Sequence, residues 1–519
     1  MKRLLLLLSV ILITGFSFGQ QLTLEWENLL SGQGSSDASI VEAIKVNGND
    51  ELIVGGTFLG SIEFNPSASS NIQTAQGGSP YLAKYNVNSD LLWCKPFDIN
   101  LNGMARIEKV TIDNQNNIYA CGRLFNGGLD GNTTSILDSD PGSGSSLLTI
   151  PSEHDYTTFI IKLDNTGIFQ WSKMFRIENG QLNSIRPTAI ETDSQNNILI
   201  GLEVERDAGG VLSLNGNTIL TTNGDESLFP LIKLDSNGDL ISLIPFKEEF
   251  PYTSNNCGDL RIIDILTEDN GSISLVGFGF GSINFNPNGI YASLGSCGDL
   301  DQFGSPLYFG FVCQYDSNGD LVWGTRLGNG DQILDADKTQ SGSLIVLQKN
   351  GNSQFVYPNG LTVEPNQTYF TKINANGDID ELNECYDGFQ PWSFAIGNND
   401  EILLLCKDSL KIFSPALTND FNLLNVDSDG LNGIETNNTA VSDSEGYYYF
   451  IDQKKPDGFA RISKISTPTS NLTELNSNQP KELIKIVNLL GQEVEYTPKT
   501  ILIYQYSDGT SEKVFTIED

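Results

Sequence analysis

Apolar and polar residues alternate along most of the chain in short runs separated by turn residues. One phrase recurs, consisting of an alternating run, an Asp/Asn-Gly turn and a second run with an aromatic residue. Three copies are IIKLDNTGIFQW ending at Trp171, LIKLDSNGDLIS ending at Ser242 and VCQYDSNGDLVW ending at Trp323, and an earlier copy, LAKYNVNSDLLW, ends at Trp93. The pattern is typical of β-hairpins, and its repetition predicts a modular all-β fold.

A second phrase is a turn that leads directly into an apolar strand. It occurs seven times, beginning at Asn47, Asp113, Asp193, Glu268, Ser341, Gly397 and Ser442. Each copy follows an apolar strand and precedes, after a loop of variable length, the first strand of the hairpin phrase. That strand carries Lys84, Lys162, Lys233 or Lys372, with Gln314 as the exception. The sequence therefore predicts a unit of four strands with a long loop after the second.

The two ends of the repeat are offset by one strand. The last unit stops after its third strand at Ser466, whereas the mature N-terminus opens with LEWENLL, a strand of the fourth type. Trp26 precedes Asn47 by 21 residues, much as Trp93 precedes Asp113 by 20. We therefore expect the N-terminal strand to complete the last sheet and close a ring of seven blades with no free sheet edge. Independent tandem β-domains are the alternative.

Residues 57–66 (TFLGSIEFNP) and 278–287 (FGFGSINFNP) share a third phrase, of which residues 136–144 (ILDSDPGSG) are an inserted variant. With the two phrases above, they resemble the seven-bladed β-propeller repeat family of bacterial secreted proteins. The resemblance covers about residues 22–466 and is thinner in units six and seven. It implies a seven-bladed β-propeller over residues 20–466.

The first 19 residues have the features of a secretory signal peptide. Lys2 and Arg3 precede an apolar run over residues 4–16, and the small residues Ser17 and Gly19 follow it. A buried N-terminal helix is the alternative interpretation. No later stretch approaches the roughly 20 apolar residues of a spanning helix, so no transmembrane segment is expected in the mature chain.

The C-terminal residues differ in composition from the repeats. A linker over residues 467–480 precedes residues 481–519, which contain NLLGQEV and LIYQYSDGTSEKVF. These phrases resemble the C-terminal sorting domain of the type IX secretion system, with Gly491, Tyr504, Gly509 and Lys513 at its characteristic places. The resemblance implies a small β sorting domain and the type IX machinery as a partner. It also implies export to the outer surface of a Gram-negative bacterium, followed by release or attachment.

Charge excludes one class of partner. The chain has 65 acidic and 30 basic residues and a net charge of −35. Because no Lys/Arg cluster is available to displace phosphate counterions, nucleic acid is not expected as a ligand.

The sequence shows no recognisable catalytic unit. The single histidine, His154, lies in PSEHDYTT, which predicts a solvated loop with no nucleophile beside it. Histidine-based zinc sites and Ser/His/Asp triads are therefore not expected. A carboxylate pair for glycoside hydrolysis cannot be picked out by spacing, because its members would come from different units.

Calcium is the one cofactor for which the sequence offers candidate ligands. Asn425, Asp427 and Asp429 follow the spacing of a calcium loop, and Asp138 and Asp140 form a second candidate pair. The same residues are common in tight turns, and for the Asp-Ser-Asn-Gly-Asp hairpins we predict turns.

Seven cysteines occur in a chain that is expected to leave the cell. Cys121, Cys313 and Cys406 lie within strand patterns and are predicted to be buried thiols. Cys257 and Cys297 lie in loops of the sequence CGDL on one face of the predicted ring, so we predict a disulfide between them.

The longest insertions, residues 123–158 and 278–306, fall on that same face, with residues 247–258 nearby. They carry five aromatic candidates for ligand binding, Phe125, Phe278, Phe280, Tyr291 and Phe303. The alternative is that these side chains pack their own loops. The preferred hypothesis is a secreted or cell-surface module that binds or adheres to a protein or glycan, rather than an enzyme. The alternatives are a carboxylate-based glycan-degrading enzyme and a structural surface protein without a discrete ligand.

Overall fold

The computed structural model describes residues 22–32, 34–66, 69–150, 154–178, 183–204, 210–221, 228–247, 258–287, 289–290, 292–295, 307–329, 332–351, 354–385, 391–406, 409–413, 423–425, 439–454, 459–467, 483–487, 494, 501–506 and 511–515. These residues form strands and turns without an α-helix, which confirms the all-β prediction. Among them, no helix has the length and apolarity needed to cross a membrane. The chain divides into two units, Met1–Thr467 and Pro468–Asp519.

The strands of the first unit form seven sheets, which are numbered here in sequence order. The first strand of the chain, β1 (Thr23–Leu29), belongs to the last of these sheets. Sheet 1 contains β2 (Ala38–Val46), β3 (Leu52–Glu63), β4 (Ile72–Tyr85) and β5 (Leu91–Pro96). Sheet 2 contains β6 (Met104–Ile112), β7 (Ile118–Phe125), β10 (His154–Leu163) and β11 (Phe169–Glu178), with the hairpin β8 (Ile136–Asp138) and β9 (Leu147–Thr149) inserted. Sheet 3 contains β12 (Asn183–Thr192), β13 (Ile198–Val204), β16 (Leu228–Leu234) and β17 (Leu240–Lys247). The hairpin β14 (Val211–Leu214) and β15 (Asn217–Thr221), inserted between β13 and β16, pairs instead with β11 of sheet 2.

Sheet 4 contains β18 (Gly258–Thr267), β19 (Ile273–Gly281), β20 (Tyr308–Tyr315) and β21 (Leu321–Leu327). Sheet 5 contains β22 (Gln332–Lys338), β23 (Leu344–Lys349), β26 (Thr368–Ile373) and β27 (Ile379–Cys385), with β24 (Phe355–Val356) and β25 (Thr362–Val363) inserted. Sheet 6 contains β28 (Pro391–Ile396), β29 (Ile402–Cys406), β30 (Ser409–Phe413) and β31 (Leu423–Asn425). Sheet 7 contains β32 (Ala440–Ser442), β33 (Tyr447–Lys454), β34 (Phe459–Ser466) and β1.

Within each sheet, neighbouring strands are antiparallel and in sequence order, except for β1. A single parallel bridge from Gly78 to Met104 joins sheets 1 and 2, and two parallel pairs between β10 and β12 join sheets 2 and 3, so that the three form one 14-stranded network. In the second unit, β35 (Leu483–Val487), β36 (Ile501–Tyr506) and β37 (Ser511–Phe515) form an antiparallel sheet.

The N-terminal strand pairs with the last strand of the repeats, as the sequence predicts. Thr23 lies opposite Ser466, and Trp26 lies opposite Lys464. This places a strand from the start of the chain at the edge that β34 would otherwise leave unpaired.

Hydrophobic cores lie between consecutive sheets. Each sheet buries apolar side chains against the sheet before it and the sheet after it, which explains why strands such as LIVGG and NILIG are apolar on both faces. One further core joins sheet 7 to sheet 1, with Ile451 and Ile462 packed among side chains that include Val54 and Tyr81.

The repeated Asp/Asn-Gly phrases are turns, as predicted. In the sheet 3 hairpin, Asp235 Oδ1 accepts the N–H groups of Asn237 at 2.8 Å and Asp239 at 2.9 Å. Asp316 accepts the equivalent pair in sheet 4, and Asp113 does so in the turn after β6. The carboxylates of these phrases thus stabilise their own turns.

In two copies of the hairpin phrase, the Lys and the Trp both hold the equivalent turn of the following sheet. Lys162 Nζ and Trp171 Nε1 of sheet 2 donate to Ser236 O of sheet 3 at 2.8 and 3.1 Å. Trp26 Nε1 and Lys464 Nζ of sheet 7 likewise donate to Val87 O of sheet 1, at 3.0 and 3.2 Å.

The turns between the first and second strands are also joined from sheet to sheet. The contacts that join them, in sheet order, are Gly48 to Asn116, Asn114 to Asn196, Ser194 to Asp269, Lys338 to Glu268, Gln340 to Asp400, Asn398 to Ser444 and Ser444 to Asp50. The last of these contacts leads from sheet 7 back to sheet 1.

Two further predictions can be compared with the structure. The expectation of a loop at His154 was wrong, because this residue begins β10 and lies opposite Asn183. Cys121, Cys313 and Cys406 are buried free thiols, as predicted. The predicted disulfide of Cys257 with Cys297 lies outside the described residues.

Candidate ligand-binding site

The first strands of the sheets, β2, β6, β12, β18, β22, β28 and β32, are called the inner strands here. Each packs against the next in sheet order, and β32 also contacts β2. Six of them have a register shift at the same position, so that one residue is unpaired: Glu42, Glu108, Thr188, Ile263, Leu334 and Trp392. A β-bulge of this kind bends a strand and redirects the side chains beside it.

Charged side chains lie on the inner strands just after these bulges. Lys45 Nζ of β2 is 2.7 Å from Glu191 Oε2 of β12, and Thr111 of β6 donates to Glu191 Oε1 at 2.5 Å. Ser393 of β28 donates to Asp335 Oδ2 of β22, also at 2.5 Å. Residues far apart in sequence therefore form one polar layer across several sheets.

Several carboxyl groups of this layer are buried and hold their protons more tightly than usual. Burial raises the pKa of Asp264 to about 8, and Asp335 raises it further, while Lys45 opposes the shift. Burial also raises the pKa of Asp335 to about 7 against the hydrogen bond from Ser393. The layer therefore carries less negative charge at neutral pH than its composition suggests.

A small cavity of about 10 Å³ lies between β2, β6 and β12. It is lined mainly by Glu42, Lys45, Glu108 and Lys109, together with apolar residues of these strands. Its volume holds about one water-sized atom.

Three arginines occupy the same position on successive inner strands, two residues before the bulge. They are Arg106 of β6, Arg186 of β12 and Arg261 of β18. Arg123 of β7 lies directly opposite Arg106 in sheet 2. Four of the nine arginines of an otherwise acidic chain are thus gathered at one end of sheets 2 to 4, which we call the upper face.

Glutamates accompany these arginines. Arg123 binds Glu108 through Nε at 2.7 Å and Nη2 at 2.6 Å. Arg186 binds Glu203 through Nε at 2.9 Å and Nη2 at 2.7 Å, and Arg261 Nε lies 3.3 Å from the same oxygen.

Three of the predicted aromatic residues lie at this upper face. Phe125 ends β7, and the guanidinium carbons of Arg106 and Arg123 lie 5.4 and 5.1 Å from its ring centroid. Tyr156 is its cross-strand partner, with the ring centroids 6.0 Å apart.

In sheet 4, Phe278 and Phe280 flank the exposed ring of Tyr308. The centroid distances to Tyr308 are 6.2 and 5.0 Å, and Arg261 lies 5.5 Å from the Phe278 ring. Tyr308 is 37% exposed, whereas Phe278 and Phe280 are half-buried. Each of these three predicted rings is therefore partly covered by other side chains of the protein. Tyr308 is a further ring at this face, which the sequence analysis did not single out.

Asp138 and Asp140, the second candidate pair for calcium, are hydrogen-bonded within their own loop. Asp138 Oδ1 accepts N–H groups of Asp140 at 3.2 Å and Ser146 at 2.8 Å, and Asp140 Oδ1 accepts that of Gly142 at 2.8 Å. Burial acts to raise the pKa of Asp138, but the hydrogen bonds outweigh it and lower the pKa. Both carboxylates thus stabilise their own loop.

Several predicted residues fall outside the described part of the chain, namely Tyr291, Phe303, Cys257, Cys297, Asp427, Asp429, Gly491 and Gly509. Asn425, Tyr504 and Lys513 lie in β31, β36 and β37, and their side chains are not described. Among described residues, no group of three His, Cys, Asp or Glu side chains is arranged to hold a metal ion.

Sequence reasoning missed the arginines, although a signal was present. Arg106, Arg186 and Arg261 each lie seven residues before the first residue of a turn phrase, at Asp113, Asp193 and Glu268. The charged inner-strand layer carried no such signal, because its members come from different repeats.

No protein-family model and no curated protein sequence matches the chain. Among solved structures, it is similar to a streptogramin B lyase, with a TM-score of 0.39, 10% identity and coverage of 85% of this chain and 98% of that one. The WD40 domain of Neurospora crassa Pan2 gives a TM-score of 0.39, 8% identity and coverage of 87% and 96%. A gluconolactonase from Xanthomonas campestris gives a TM-score of 0.26 and 11% identity, with coverage of 56% of this chain and 91% of that one. Likenesses this distant bear on neither activity nor ligand.

Proposed function

We propose that the chain is an extracellular binding module whose ligand docks on the upper face of sheets 2 to 4. The observation that carries this proposal is the joint occurrence there of arginines and aromatic rings, with Tyr308 exposed between Phe278 and Phe280. Rings with an open surface and guanidinium groups are the residue types that dominate recognition sites. Because rigid strands place them, they need little ordering when a ligand arrives.

The scaffold in this proposal is a seven-bladed β-propeller in which each numbered sheet is a blade and β1 closes the ring. Four observations support it: the pairing of β1 with β34, the core shared by sheets 7 and 1, the contact of Ser444 with Asp50, and the donation of Trp26 and Lys464 to Val87. A closed ring leaves no free edge strand, which suits a protein that works outside the cell.

Export by the type IX secretion system, with release or display at the cell surface, completes the proposal. Its support is the N-terminal Lys-Arg pair with its apolar run and the sorting-domain phrases near the C-terminus. On this basis, residues 481–519 act as an address and the upper face performs the binding.

The alternative, a carboxylate-based glycan-degrading enzyme, has one observation in its favour. Asp264 and Asp335 have the raised pKa values that a general acid needs. Both side chains are buried, however, and the cavity near the inner strands holds only about one water. The geometry therefore favours binding over hydrolysis.

The test is a binding screen of the full exported chain against glycan arrays and extracellular polymers, with and without calcium. We expect one glycan or protein class to bind and Tyr308→Ala to weaken that binding about tenfold or more, because truncating a hot-spot residue costs about 2 kcal/mol or more. Val322→Ala is the matched control, because Val322 is 58% exposed at the opposite end of the same sheet.

Two results would contradict the proposal. One is silence across the screen from a chain that is exported and folded. The other is release of shortened glycan products that stops in Asp264→Asn, which would support the enzyme instead.

A further inference from the structure

Two cysteines lie at strand ends of consecutive sheets. Cys385 ends β27, the fourth strand of sheet 5, and Cys406 ends β29, the second strand of sheet 6. They are 2% and 1% exposed, and both belong to the hydrophobic core between these two sheets. Both are thiols in the structure. The two sulfur atoms therefore belong to the facing surfaces of two packed sheets.

The corresponding positions of sheets 2 and 3 show that these strand ends meet. Cys385 lies four residues after the residue opposite the lysine of its hairpin, as Phe175 of β11 does. Cys406 is the fifth residue of β29, as Leu202 is of β13. Phe175 shares a core with Leu202 and pairs with Leu214 in the segment that follows β13. The fourth strand of one sheet thus ends against the second strand of the next.

Aromatic packing brings sheets 5 and 6 together at the same place. The ring centroid of Phe370 in β26 lies 5.4 Å from that of Phe394 in β28. The backbone N–H of Phe370 donates to the sulfur of Cys385. Phe394 lies opposite Leu404, which is two residues before Cys406 and belongs to the same core.

The two thiols also interact electrostatically. Burial raises the pKa of Cys385 far above its usual range, and Cys406 raises it further. Burial raises the pKa of Cys406 to about 12, and Lys411 opposes the shift in both thiols. The groups that shift the pKa include no cysteine for the other described thiols, Cys94, Cys121 and Cys313. Within the part of the chain that the structure describes, Cys385 and Cys406 are therefore the pair of thiols that interact.

We propose that Cys385 and Cys406 form a disulfide that joins sheets 5 and 6 when the chain folds outside the cytoplasm. This inference rests on the export in the proposed function, because disulfides persist in oxidising compartments. A disulfide between two packed sheets is an arrangement that immunoglobulin domains also use.

The oxidant is the disulfide bond of a periplasmic thiol–disulfide oxidoreductase. One cysteine thiolate attacks a sulfur of that bond, which forms a mixed disulfide and releases the first thiol of the oxidoreductase. The second cysteine thiolate then attacks the sulfur of the first cysteine and releases the other thiol. The two protons of the cysteines end on the reduced oxidoreductase. Because burial suppresses the thiolates of the folded chain, the exchange takes place before this core closes.

The test is refolding of the full reduced chain in a mixture of reduced and oxidised glutathione, followed by alkylation and non-reducing peptide mapping. We expect a linked peptide pair that contains Cys385 and Cys406 and is lighter by two hydrogens than the separate peptides. Cys94, Cys121 and Cys313 should instead be alkylated once the chain is denatured, because each lacks a neighbouring thiol.

Thermal unfolding with and without dithiothreitol measures the effect of the bond. Reduction should lower the Tm of the natural chain by on the order of 3 °C, because the disulfide closes a loop of about 20 residues. The fall on reduction should be smaller in Cys406→Ala. Cys94→Ala is the matched control and should keep the full fall.

The proposal is overturned if Cys385 and Cys406 of the refolded chain are both alkylated, or if either is linked to a different cysteine. It is also overturned if reduction lowers the Tm of Cys406→Ala as much as that of the natural chain. The mapping needs no variant, so it decides the matter even where Cys406→Ala does not fold. It also uses no ligand and no export, so that a failure of the proposed function would appear separately, in the binding screen or in the location of the chain.

Discussion

Single glycines in the hairpin turns illustrate how closely successive sheets approach. Gly167, Gly238 and Gly377 have φ of 80°, 77° and 84°, a left-handed conformation that suits glycine. A tryptophan of the preceding sheet lies over each of them, for example Trp171 over Gly238. The glycine of the phrase therefore serves both its own turn and the neighbouring tryptophan.

Replacing Gly238 by alanine should separate these two roles. A Cβ there would lie 2.9 Å from Trp171 Cη2 and 2.8 Å from Lys173 Cε, whereas a Cβ at Gly216, which has φ of 80°, would meet nothing within 4 Å. We expect Gly216→Ala to lower the free energy of unfolding by about 1 kcal/mol through backbone strain alone. Gly238→Ala should lose roughly 1–3 kcal/mol more through overpacking. Urea unfolding of both variants measures the difference, and equal losses would show that the tryptophan contact contributes nothing.

At the scale of elements, the inner strands and β1 determine what the molecule can present. The shared bulge turns a regular strand into one that exposes charged groups to the strands beside it, as Lys109 and Asp335 show. β1 contributes no charge to this layer and instead completes sheet 7. Its pairing decides whether the repeats end in a free edge.

A designed cross-link tests the position of β1. Thr23 and Ser466 lie opposite each other, and opposed residues of antiparallel strands have Cα atoms about 4.5–5.5 Å apart, within the range of a disulfide. The double variant Thr23→Cys/Ser466→Cys should therefore oxidise to a compact form with faster migration on a non-reducing gel. Burial raises the pKa of native strand thiols such as Cys121 and Cys313, which keeps them unreactive.

The matched control pairs Thr23→Cys with Ser442→Cys. Ser442 lies on β32, and β33 and β34 separate that strand from β1. Three strand spacings place it about 14 Å away, too far for a disulfide. Equal oxidation of the two double variants, or none of the first, would contradict the pairing and with it the proposed closed ring.

At the scale of the whole molecule, the sequence predicts the repeated hairpins and turns, but it does not predict the contacts between side chains of different repeats. The hairpins, the turns and the role of LEWENLL follow from local phrases, because each is encoded within about 12 residues. The β14–β15 hairpin was missed because it interrupts one unit only. The pair of Lys45 with Glu191 could not be predicted, since 146 residues separate them and only the packing of β2, β6 and β12 unites them.

The upper face lies between these cases, because the sequence predicted some of its residues and missed others. Phe125 and Phe278 were found because they stand where a repeat is interrupted. Arg106 was missed because a single arginine in ARIEKV resembles an ordinary surface residue until its counterparts in the next two sheets are aligned. The burial of its partner Glu42 is likewise shown by no local pattern.

The buried carboxyl group of Asp264 should contribute less to the stability of the fold as pH rises. In the folded chain the pKa of Asp264 is about 8, against an ordinary value of 3.8, and Lys45 offsets only part of the cost of burying its charge. Between these values the folded protein keeps a proton that the unfolded chain has released, so each unit of pH favours unfolding by up to about 1.4 kcal/mol. This contribution to stability is complete below about pH 4 and is lost as pH rises through about 8. Urea midpoints of the natural chain, measured across that range, should fall relative to those of Asp264→Asn as pH rises. Asp239→Asn, whose side chain is 75% exposed beside Lys173, should keep the slope of the natural chain. Identical slopes in all three proteins would show that Asp264 does not hold its proton in the folded state.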